Sequence, residues 1–137
     1  MKLIDIGSSV EIKLSNSLHW TDEMQWSPVV SNVQYSLTGA LLIESAVKQS
    51  GRPISLAPPD NDMGWAPRST VMLLRDWAAT ADRRMTLVLE YPNDTRQFTV
   101  RFRHQEGSVI EAKPVKGFPE HNPDDWFSLS LKLIEVI

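Results

Sequence analysis

No cysteine occurs among the 137 residues, which excludes a disulfide framework and a thiolate metal site and suits a reducing compartment. Glycine is scarce as well, at six residues, and none lies in a phosphate-cradling loop, a nucleophile elbow or a dinucleotide fingerprint. The longest apolar runs, such as Val71–Leu74, fall far short of the roughly 20 residues that a membrane-spanning helix needs, so no membrane insertion is expected. At the N-terminus, Met1-Lys2-Leu3-Ile4-Asp5-Ile6 reaches acidic Asp5 before any apolar region forms, and export by a cleaved signal peptide is not expected. Neither a tail of like charges nor a low-complexity tract is present. The formal charge of -3 argues against nucleic acid as a direct partner.

What the chain does contain is enough for one domain, residues 1–137, burying roughly 65 to 70% of its unfolded surface around a single core. Residues 1–14 read as two short strands broken at Gly7-Ser8-Ser9, because Val10, Ile12 and Leu14 alternate with Glu11 and Lys13. Ser15 to Pro28 has no sustained period and reads as a long loop. From Val33 the pattern is extended, with Val33, Tyr35 and Leu37 alternating against polar neighbours until Gly39 offers a bend. Ala40 to Lys48 fits a helix or a strand, and the strand is favoured. Pro53 marks Arg52 to Leu56 as an edge or entering strand, and three prolines with Gly64 make Ala57 to Pro67 irregular.

One helix is expected, capped by Ser69 or Thr70, in which Val71, Leu74, Ala78 and Ala81 repeat at helical spacing. A hairpin follows: Arg84 to Tyr91 and Arg96 to His104 are joined around Pro92-Asn93-Asp94, with Phe98, Val100 and Phe102 on the core side. Val109 to Val115, with Pro114 inside it, reads as an edge strand. Trp126 to Ile137 closes the domain, alternating Phe127, Leu129, Leu131 and Leu133 with polar residues. The expected fold is mainly β: an antiparallel β-sandwich or partly closed barrel with one short α-helix.

Catalytic constellations are not found, and no enzyme activity is expected. Asp60-Asn61-Asp62 opens like a calcium loop, but Gly64, Trp65 and Val71 stand where further ligands, the loop glycine and the closing glutamate are required. His19, His104 and His121 lack zinc-motif spacing, and Glu120-His121-Asn122-Pro123-Asp124-Asp125 reads as a turn before the last strand. No metal or other cofactor is expected.

Two features point instead to protein contact. Arg101 and Arg103 alternate on one strand, with Arg83, Arg84 and Arg96 nearby; they serve either to keep an exposed sheet from aggregating or to dock an acidic neighbour. Trp20, Trp26 and Trp65 lie in expected loops, where an indole folds back onto the core or enters a partner.

Gly51-Arg52-Pro53-Ile54, the Gly64-Trp65-x-x-Arg68 segment, the helix and the following hairpin together resemble small tail and baseplate proteins of bacteriophages, above all the plug-like component of contractile-tail baseplates. More loosely, the resemblance extends from Gln34 to the C-terminal strand. It implies a mainly β domain without catalytic residues, synthesised in the host cytoplasm and built into the virion tail. There it would bridge tube, hub and other baseplate proteins as a cyclic homo-oligomer, a trimer or hexamer. Arg52, Trp65 and Arg68 fall on the family's polar and aromatic positions. With Trp20, Trp26, Arg84, Arg96, Arg101 and Arg103 they form the expected interface. The alternative is a freestanding β-sandwich that binds a glycan or small ligand through the loop tryptophans.

Overall fold

The computed structural model describes residues 1–60, 62–117 and 122–137. In chain order its elements begin with β1 (Lys2–Asp5), β2 (Glu11–Lys13), β3 (His19–Trp20), β4 (Val29–Tyr35), β5 (Leu41–Val47), β6 (Pro53–Ala57) and β7 (Trp65–Pro67). The helix α1 (Arg68–Ala78) follows, then β8 (Met85–Val88), β9 (Gln97–Phe102), a 3₁₀ turn at His104–Glu106, β10 (Ile110–Pro114) and β11 (Trp126–Glu135).

β11 is the spine of the body. Its alternating Phe127, Leu129, Leu131 and Leu133 are all buried, which fixes its face and its register. Its even-numbered backbone groups point to one edge, where β9 and β10 lie end to end: Lys132 donates to the Val109 carbonyl at 2.9 Å and accepts from the Arg103 N–H at 3.1 Å. Its odd-numbered groups serve the other edge, where β6 and β7 lie end to end; Glu135 donates to the Arg52 carbonyl and Leu129 to that of Gly64. From β9 the sheet continues through β8 and β1 to β2, and from β6 to β3. Every pairing is antiparallel and the path does not close on itself. The fold is therefore mainly β and sandwich-like, with no closed barrel among the described residues. One core joins the inward residues of these strands to Val71, Leu74 and Trp77 of α1.

The strand pairs at 2–13 and 85–102, the strand at 41–47 and the edge position of β10 agree with the sequence reading. Two loops are more structured than their composition suggests, since β3 lies within Ser15 to Pro28 and β7 within Ala57 to Pro67. The helix also begins earlier than its hydroxyl residues indicate. Pro67 stands at the cap in an extended conformation, and the first free amides, on Arg68 and Ser69, donate to the carbonyls of Asp125 and Pro123 at 2.8 and 3.0 Å. Loop carbonyls thus replace the expected Ser69 or Thr70 side chain.

Gly64 permits the turn into β7. Its φ is +71°, and a Cβ there would lie 2.8 Å from Pro58 Cβ and 3.0 Å from Leu18 Cδ2. Gly64→Ala therefore combines left-handed strain of roughly 1–2 kcal/mol with overpacking of about 1–3 kcal/mol. The urea midpoint should fall accordingly; an unchanged midpoint would show that the turn relaxes freely.

Asp5 holds the turn between β1 and β2. Its Oδ2 accepts from the Ser8 hydroxyl at 2.6 Å and the Ser8 N–H at 3.0 Å, and Arg83 approaches Oδ1 at 3.1 Å. The Ser8 hydroxyl bond, followed by the Ser8 amide and Arg83, keeps the carboxyl below the ordinary carboxylate range despite burial, which opposes it. A depressed folded pKa contributes stability that is complete above the unfolded value, about pH 4, and is lost as pH falls through the folded one. Asp5→Asn should consequently flatten the dependence of the urea midpoint on pH below about pH 5. Parallel curves for the two proteins would exclude Asp5 as its source.

Candidate protein interface

β4 and β5 form a two-stranded sheet separate from the body, paired over seven positions from Val29↔Val47 to Tyr35↔Leu41. All fourteen of their residues are exposed. The Ser36 and Gly39 amides close the tip on the Ala40 and Ser36 carbonyls, and Leu37 stands fully exposed there. One face of this arm carries Val29, Val33, Tyr35, Leu41, Ile43 and Val47 around the Ser31–Ser45 hydroxyl pair at 2.8 Å, with no charge. The other face carries Asn32, Gln34 and Glu44 among Val30, Leu42 and Ala46. Soluble monomers rarely expose an apolar surface so continuous, and an isolated two-stranded hairpin is at best marginal in water.

The foot of the arm is held by stacked cations and rings. Lys48, just past β5, lies 5.3 Å from the Trp26 ring, and its N–H donates to the Pro28 carbonyl at 2.7 Å. Arg52 bridges Trp26 at 4.9 Å and Trp20 at 5.8 Å; Arg96 then bridges Trp20 and Phe98, at 5.5 Å from each. Trp20 meets Phe98 edge to face at 5.3 Å, and its indole N–H donates to the Pro53 carbonyl at 3.2 Å. The series runs from the foot of the arm to the rim of the core, with each contact worth roughly 0.5–1 kcal/mol where exposed. Asp94 and Glu23 hold Arg96 from the side and raise its already high pKa further, Asp94 more than Glu23.

Four expected interface residues, Trp20, Trp26, Arg52 and Arg96, are thus brought together, but on one another. Trp65 sits beside Trp126, with ring centroids 6.4 Å apart, and Arg68 lies over Phe127 at 5.6 Å. Arg84 donates to the Ile137 carbonyl at 3.2 Å, and Arg101 pairs with Asp82. Arg103 requires a correction. It is 4% exposed rather than displayed beside Arg101, because β9 ends at Phe102 and the backbone turns at Arg103, directing the guanidinium inward. There it donates to Ser55 Oγ at 2.8 Å and the Leu133 carbonyl at 3.4 Å, 3.8 Å from Asp22. Asp22 also accepts from the Ser55 N–H and hydroxyl, so this cluster fastens the 15–28 loop to β6.

The arm itself was missed by sequence reasoning as a site. Its apolar alternation was legible, but nothing local distinguishes such a strand from one that faces a core. Among the described residues no three His, Cys, Asp or Glu side chains converge as metal ligands, and no helix is long and apolar enough to cross a membrane. Asn61 of the tested calcium loop, with Glu120 and His121 of the acidic turn, lies outside the described residues. Neither protein-family models, nor curated proteins, nor solved structures give a match to this chain.

Proposed function

We propose that this chain is an oligomerising structural adaptor of a bacteriophage tail tip or baseplate, assembled with cyclic symmetry. The exposed arm carries the reading. Among the described residues β4 and β5 pair only with each other, so each keeps one open edge. Because the two strands are antiparallel, identically oriented copies set side by side present the β5 edge of one to the β4 edge of the next in antiparallel register. Such a contact is heterologous, and a rotation between copies that closes turns it into a ring rather than a filament. In the closed ring, backbone pairing removes the open edges, as in any barrel, and the uncharged face is covered on one side. The virion assignment itself rests on the resemblance at Gly51–Ile54 and Gly64–Arg68.

The stacked foot supports the same reading, since a ring needs arms held at a common angle. It also leaves less support for glycan binding: Trp20 and Trp26 already carry guanidinium groups over their rings. Quantitative mass spectrometry with cross-linking of purified tails tests the proposal. A fixed stoichiometry of three or six, with cross-links between copies near Lys48, is expected; absence from tails would overturn the virion role.

A further inference from the structure

A second open edge lies on the body. Lys132 donates to Val109, and Val115 donates to the Trp126 carbonyl at 3.0 Å, so the odd-numbered residues of β10 address β11. The even-numbered ones address the opposite side. Ile110 N–H, both backbone groups of Ala112 and the Pro114 carbonyl therefore point outward, and among the described residues β10 has no second strand beside it. Among the described residues only the Ile110 carbonyl is taken, by the Ser108 hydroxyl at 3.0 Å.

Beside this edge the side chains of Ile110 and Ala112, with Val71 and Met72 of α1 and buried Phe127, line a groove of about 340 Å³. It is continued past Arg75 and Ile110 by a second hollow of about 350 Å³ that reaches His104. Arg68 and Arg75 stand on the helix side of the groove, seven residues and about 10 Å apart. Among the described residues neither has a carboxylate partner. The neighbouring acid on β10, Glu111, faces the other side of the strand, where it lines a separate hollow with Ser128 and Ser130.

We infer that this groove receives an extended acidic segment of a partner protein, which joins the sheet as a strand along β10. The open backbone groups supply the pairing, and the pockets for alternate side chains supply the selection, as in recognition by strand addition. Residues two apart on the added strand lie about 6.7 Å apart and project to the same face. An apolar side chain entering the groove is therefore flanked, two residues away on either side, by carboxylates within reach of Arg68 and Arg75. Planar guanidinium groups bind such carboxylates in bidentate fashion. This chain's own arm does not fit as the donor, because Glu44 is its single acid. The site is separate from the arm and independent of the virion assignment.

A display library of random heptapeptides panned on the purified protein provides the test. Enriched peptides should alternate, with an acid two residues before and two after an apolar residue. The double variant Arg68→Glu, Arg75→Glu should bind them at least tenfold more weakly, with its thermal midpoint retained. In the parent protein, the Ala112 amide should become protected from hydrogen exchange when such a peptide binds, a readout that needs no variant. Failure to enrich any peptide, enrichment without carboxylates, or binding that leaves Ala112 exchange unchanged would each overturn the proposal.

Discussion

Replacing Ile43 with glutamate is expected to leave a folded monomer in place of the proposed ring. Ile43 is 59% exposed and contributes nothing to the core, so the isolated protein should lose no more than about 0.5 kcal/mol. On the assembled arm the same side chain lies at the centre of the uncharged face, opposite Val33. A carboxylate there is desolvated without a partner, at a cost of several kcal/mol in each subunit. Because every subunit contributes one, the penalty recurs around the ring. Native mass spectrometry of parent and variant at equal concentration reads the outcome, and the thermal midpoint reports the monomer's fold. Rings that persist in the variant would exclude the arm as the assembly element.

Arg103→Met is expected to be the most damaging of the arginine substitutions, by about 3 kcal/mol, within the range for breaking a buried charged pair. Methionine retains the apolar stem but removes the donors to Ser55 and Leu133 and the cation beside Asp22, whose side chain is only 18% exposed. Glu106, 3.0 Å from the guanidinium in an ion contact without hydrogen-bond alignment, is mostly exposed and regains water. For a domain of this size the thermal midpoint should drop by roughly 10 °C. Arg101→Ala is the contrast, because its partner Asp82 is largely exposed and surface pairs are worth roughly 0–1 kcal/mol. Equal midpoints for the two variants would mean that Arg103 does not anchor the 15–28 loop.

The contrast between these two arginines also shows what one-dimensional patterns carry. Phe98, Val100 and Phe102, like Phe127 through Leu133, alternate strictly, and burial follows that alternation as expected of strands with one dry face. Arg103 sits in the same phase as Arg101, yet the strand stops one residue before it, and the backbone turn reverses what the period implies. The stacked foot of the arm was less legible still. Trp20 finds Arg52 and Arg96 from 32 and 76 residues away in sequence, and only the completed sheet brings them together. The helix start was misplaced for a related reason: the carbonyls of Pro123 and Asp125 arrive from a distant loop to satisfy amides that a local side chain was expected to cap. Arg68 was a candidate only through the resemblance at Gly64–Arg68, whereas Arg75 was none, because it gains its place from β10 across the groove.

The place of β11 in the chain sets an order of events during synthesis. β6, β7, β9 and β10 are all made before the strand that joins them, so the body cannot close until β11 has left the ribosome. Pairings of such long sequence separation are slow to form. The arm is different: its strands are neighbours in sequence, and a hairpin of that kind forms within microseconds. Its own pairing therefore does not wait for β11, whereas the stack at its foot waits for Arg96 and the strand that carries it.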